Sequence, residues 1–152
     1  MEAVIARTGR VLGVDLGARR IGLALSDPGR VVASPHEVLT RAKDADTDRR
    51  AIVAMAREEG AATIVVGLPL SLSGEDGPAA VAARAEVEAL RLVAGADIEV
   101  VLHDERFTTV VAERVLIEAK MRRDARRRVV DKVAAAVMLQ SWLDGARSRD
   151  AE

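Results

Sequence analysis

The chain has 152 residues, 49% of them hydrophobic and 31% charged, with a net charge of −1. That length and composition predict one domain with a core that needs no disulfide or metal to fold. The absence of cysteine excludes thiol nucleophiles, zinc–thiolate sites and redox motifs, and fits a reducing compartment.

The first ten residues, MEAVIARTGR, lack the apolar core of a signal peptide. Residues 10–16 alternate and then run apolar, as a buried strand does. Gly17-Ala18-Arg19 reads as a short turn, Ile21 to Leu25 as a second strand, and Asp27-Pro28-Gly29 as a tight turn. A third strand is expected to begin over Arg30 to Ala33, so the three form an antiparallel meander. A helical face over Asp44 to Glu59 stops at Gly60, and the β-branched run Thr63 to Val66 predicts a buried strand. The loop GLPLSLSGEDGP separates it from a second helix over Ala79 to Ala94, stopped by Gly95. A fifth strand is expected over Ile98 to Leu102, a helix over Thr108 to Ala119, and a strongly apolar last helix over Val129 to Leu143. The polar tail after Gly145 is expected to fray. The longest apolar run, Val133 to Leu139, is too short to span a bilayer, so a soluble cytoplasmic protein with no membrane partner is expected.

The predicted order is β-β-β-α-β-α-β-α-α. It specifies an α/β domain over residues 1–152, with a core at about 10–144, in which a five-stranded mixed sheet carries helices on both faces.

Four acidic positions lie in neighbourhoods that do not suit them. Asp15 sits within an apolar strand. Alone, it reads as a turn-bonding aspartate as readily as a ligand. Asp104 and Glu105 close the fifth strand, where α/β sheets place ligands, although acids before a helix also complement its dipole. Asp131 is placed in the first turn of the last helix and shares a face with Ala135, Met138 and Trp142. Carboxylates gathered at one end of a sheet raise one another's pKa unless cations join them, and oxygen-only sites suit Mg²⁺ or Mn²⁺. One or two such ions would serve phosphodiester hydrolysis.

Charge supports a polyanionic partner. Lys120 to Lys132 holds seven bases and two acids, a window of +5 in a chain of −1, so the remainder carries −6. The stripe runs into Asp131, where it would hold a phosphate backbone. Arg19, Arg106, Arg122, Arg123, Arg126, Arg127, Arg128 and Lys132 are the expected nucleic-acid contacts. Phe107 and Trp142 are the sole aromatic residues, which excludes a broad base-stacking platform. His36 reads as structural, and His103 as a candidate for orienting a carboxylate or contacting phosphate.

Four stretches, GVDLGARRIGLALSD, VVGLPLSLSGEDG, HDERFTTVVAE and DKVAAAVMLQSWL, together resemble the YqgF/RuvX family over about residues 10–144. The resemblance implies an RNase H-like fold and a metal-dependent nuclease, either maturing the 5′ end of pre-16S ribosomal RNA or resolving Holliday junctions. It assigns Asp15, Glu105 and Asp131 as the catalytic and metal-binding acids, with Asp104 the lesser member of its pair. Many RNase H-like proteins carry an acid at the end of the fourth strand, where this chain has Gly67. That departure leaves the number of metal ions, one or two, open. Symmetric cutting of a junction would call for a homodimer. Two rival classes stay in view. One is an actin- or Hsp70-type nucleotide-binding domain, whose phosphate turn also reads Asp-apolar-Gly. The other is a non-catalytic RNA-binding assembly module.

Overall fold

The computed structural model describes residues 9–68, 77–104 and 123–151. Five strands form one mixed sheet: β1 (Arg10–Leu16), β2 (Arg20–Ser26), β3 (Ala33–Thr40), β4 (Ala61–Leu68) and β5 (Glu99–Asp104). Their order across the sheet is β3-β2-β1-β4-β5. The first three strands pair antiparallel, and β4 and β5 join parallel to β1 and to each other. Helices α1 (Ala45–Glu58) and α2 (Pro78–Ala94) cover one face, and α3 (Arg123–Ala151) covers the other. The expected helix over Thr108 to Ala119 and the GLPLSLSGEDGP loop, apart from its first two and last two residues, lie outside the described residues.

Strand alternation divides the side chains between these faces. Leu12, Val14, Ile21, Leu23, Ile64 and Val66 pack with Ile52 and Val53 of α1 and Val87 and Leu90 of α2. Val11, Ala24 and Val65 pack with Ala134, Ala135, Met138, Leu139 and Leu143 of α3. Helix α1 starts at Asp44, whose side chain accepts a hydrogen bond from the Asp46 backbone N–H. Gly95 ends α2 at φ 77, a conformation that favours glycine. Arg49 of α1 bridges both carboxylate oxygens of Glu86 in α2, at 2.8 and 3.0 Å.

The sequence expectations need correction at three places. The third strand begins at Ala33, because residues 28–32 belong to the turn. One Asp27 carboxylate oxygen accepts the N–H groups of both Val31 and Val32 at 2.8 Å, and Arg30 is left-handed at φ 59. The last helix extends well beyond Val129–Leu143 in both directions. Its N-terminal extension, residues 123–128, holds four arginines and one alanine, which favour helix. Its C-terminal turns run through Gly145 to Ala151. Gln140 there takes the Ala33 N–H and donates to the Val31 carbonyl, while Arg147 binds that same carbonyl at 2.9 Å. These ties outweigh the roughly 1 kcal/mol helix penalty of one glycine. Asp131 is consequently the ninth residue of α3, too far along to complement the dipole of the first turn.

Candidate active site

The β1–β2 hairpin brings Asp15 opposite Gly22. Both lie on the face covered by α3, by alternation with Val14 and Leu23, which face the other way. Helix α3 reaches the sheet at this pair. A Cβ placed on Gly22 would stand 2.1 Å from the Asp131 carbonyl oxygen and 2.6 Å from its carbon. Only the missing side chain lets the helix backbone come so near. Three residues of the hairpin and helix thus do one job: Gly22 seats Asp131 beside the strand position paired with Asp15.

Arg20 fixes the side chain of Asp131. Its Nε donates to Asp131 Oδ2 at 2.6 Å, with the two side chains 27% and 21% exposed. Asp15 is itself half-buried. On the other flank of β1, Val14 pairs with Val66, and the next residue of β4, Gly67, pairs with His103 of β5. Gly67 adds no side chain between Asp15 and His103. The His103 ring is held at its Nε2 by Ser141 Oγ, 3.1 Å away. Ser141 lies ten residues beyond Asp131, about 15 Å along the helix axis. That contact ties His103 to the later turns of α3. His36, read as structural, lies 3.6 Å from Glu59.

The expected site residues fall into three groups. Asp15 and Asp131 are brought to one place. Asp104 ends β5, as expected, but its side chain is not described. Glu105, Arg106 and Arg122 lie outside the described residues. Among the described residues, no three histidine or acidic side chains form a group able to hold a metal ion. Arg123, Arg126, Arg127 and Arg128 form the opening turns of α3, leading into Asp131. Lys132 is half-buried with its backbone N–H over Gly22, and Arg19 is exposed in the β1–β2 turn. Sequence reasoning passed over Gly22 and Arg20. The signal was present in strand arithmetic: pairing the two strands across their short turn puts Gly22 opposite Asp15, and places Arg20 on the same face.

The family model described as RuvX, Holliday junction resolvase, matches residues 9–145. The chain belongs to this family. It is 43% identical over 139 residues to a Roseiflexus sp. protein named "Putative pre-16S rRNA nuclease", covering 91% of this chain and 96% of that one. A Kineococcus radiotolerans protein of the same name is 46% identical over 143 residues, covering 93% and 75% respectively. Among solved structures, T. thermophilus RuvC in complex with a Holliday junction substrate superposes with a TM-score of 0.54 at 16% identity, covering 91% of this chain and 95% of that one. The RuvX-family chain therefore has the RNase H-like fold, as its sequence predicted.

Proposed function

We propose that this chain is a nuclease that hydrolyses phosphodiester bonds, acting on the 5′ leader of pre-16S ribosomal RNA with Asp15, Glu105 and Asp131 as its working acids. The observation that carries this reading is the seating of Asp131 over Gly22, the residue paired with Asp15. Two acids far apart in sequence meet on a rigid strand and a rigid helix, which is the way to hold carboxylates in register. The RNA substrate is taken from the names of the relatives. Family membership favours a nuclease over the actin-type or purely assembling alternatives.

The donors suit Mg²⁺ or Mn²⁺, being carboxylate oxygens without a thiolate. Gly22 lets the helix carry Asp131 down to the strand position paired with Asp15, and Gly67 of β4 places no side chain on the α3 face. Asp15, Asp131 and Glu105 would hold one or two ions. A bound ion would supply Lewis-acid activation of water and charge stabilisation of the leaving oxygen. The chain's own residues do the rest. Arg20 keeps Asp131 in one orientation. The arginines opening α3, with Arg19, Lys132, Arg106 and Arg122, draw the phosphate backbone toward that point. We place the protein in the cytoplasm as a single nuclease domain; no helix among the described residues is long and apolar enough to cross a membrane. Cutting a four-way junction symmetrically would require a homodimer.

The test is cleavage of a pre-16S leader and a synthetic four-way junction side by side, with and without EDTA. Asp15→Asn is expected to keep the circular dichroism spectrum and to lose at least about a hundredfold in rate. Equal rates for the variant, or full activity in EDTA, would remove Asp15 from the chemistry. Preference for the junction would move the substrate from RNA to branched DNA.

A further inference from the structure

Two arginine–carboxylate contacts in this molecule differ in form. Arg49 grips Glu86 with Nε and one η nitrogen on the two carboxylate oxygens, the fork-to-fork arrangement that uses the guanidinium fully. Arg20 meets Asp131 through Nε alone. Among the described residues its η nitrogens have no hydrogen-bond partner. Arg20 opens β2 on the α3 face, two residues before Gly22, and its side chain keeps 27% of its exposure. A planar, permanently charged group is thus anchored at one corner, with up to four N–H donors left over, beside the pair of acids. Ion pairing with Asp131 fixes the plane in advance, which lowers the ordering cost of a second contact.

We infer that Arg20 is a phosphate-binding residue of this site. Asp131 orients it through Nε, and its η N–H groups take a non-bridging oxygen of the nucleic-acid backbone. The inference rests on the nuclease reading for its substrate class and adds to it the residue that answers the substrate's charge beside two carboxylates. One guanidinium then serves two ends: it holds an acid of the site, and it ties the position of the bound strand to that acid.

The experiment is equilibrium binding by fluorescence anisotropy in EDTA, with a fluorescent pre-16S leader RNA and a four-way DNA junction as separate probes, over a salt series. Losing one phosphate contact lowers the slope of log K against log[salt] by about one. Arg20→Gln is expected to show that decrease on whichever probe binds, with affinity falling on the order of tenfold. Asp131→Asn, which keeps the guanidinium, is expected to retain the slope. Arg20→Lys preserves an ion pair with Asp131 and safeguards the test should the glutamine variant not fold; it too is expected to bind more weakly and with a shallower slope, because an ammonium lacks the fork. A wild-type slope in the glutamine variant, or in the lysine variant if only that one folds, overturns the assignment and leaves Arg20 a tether for Asp131. Failure of the wild-type protein to bind either probe overturns both readings. A reduced slope in a protein that cuts neither probe with Mg²⁺ or Mn²⁺ leaves Arg20 as a phosphate site and removes the nuclease reading alone.

Discussion

The two faces of the sheet are built on opposite plans. Toward α1 and α2 the strands present Leu12, Val14, Ile21, Leu23, Ile64 and Val66, and large aliphatic side chains keep the helices at a distance. Toward α3 the same strands present Val11, Gly13, Asp15, Gly22 and Ala24, and the helix backbone comes down onto the sheet. A Cβ on Gly13 would stand 2.9 Å from the Leu139 Cβ, the same crowding about two turns further along the helix. The first plan tolerates small adjustments, because side chains can shift rotamers. The second transmits position directly from strand to helix backbone, and it carries the two acids. Stability is spread over both faces, while the geometry of the site depends on one.

The largest effect expected from this contrast follows Gly22→Ala. The new methyl would overlap the Asp131 carbonyl, and neither strand nor helix backbone yields cheaply. A loss of about 3 kcal/mol or more in stability is expected, with cleavage lost even at temperatures where circular dichroism shows a folded protein. Ile64→Val on the opposite face, where Ile64 is fully buried, should cost about 1 kcal/mol by denaturant titration and leave the rate of the folded fraction unchanged. Should Ile64→Val slow cleavage in proportion to its destabilisation, or Gly22→Ala remain active, the two faces would not be separable in the way their packing indicates.

Much of this was legible from the amino-acid sequence, because periodicity reports burial. The strand holding Asp15, the helix capped by Asp44 and the helix stopped by Gly95 appear within one residue of expectation. The misreadings share a cause. Arg30 to Val32 look like strand, yet Asp27 four and five residues before the valine N–H groups claims them for its turn. The last helix looks as if it ends at Leu143, yet it continues past Gly145, where Gln140 and Arg147 bind a carbonyl more than a hundred residues away. At the site, Asp15 and Asp131 were visible as misplaced acids. The residues that bring them together, Gly22 and Arg20, act through contacts across some 110 positions, which no local pattern records.

Asp27 supplies the smallest and cleanest contrast, since it is an acid just beyond the far end of β2, in the β2–β3 turn, whose role is structural. Its carboxylate accepts the Val31 and Val32 N–H groups, and these bonds hold its pKa below the usual 3.8. A depressed pKa in the folded state means that the stabilisation is complete above the unfolded value and is lost as pH falls through the folded one. Asp27→Asn keeps a carbonyl oxygen for the same two bonds but removes the charge. The wild-type protein should therefore melt slightly higher than the variant near pH 6, and the gap should shrink as pH falls below 3.8 and through the depressed folded-state value. Because the turn lies at the opposite end of β2 from Arg20, the gap should be the same with Mg²⁺ or EDTA. A gap that persists at low pH would mean that the bonds themselves, and not the charge, differ between aspartate and asparagine. A gap that responds to Mg²⁺ would connect the turn to the acids at the far end of the hairpin and erase the distinction between a carboxylate spent on backbone and those kept for substrate.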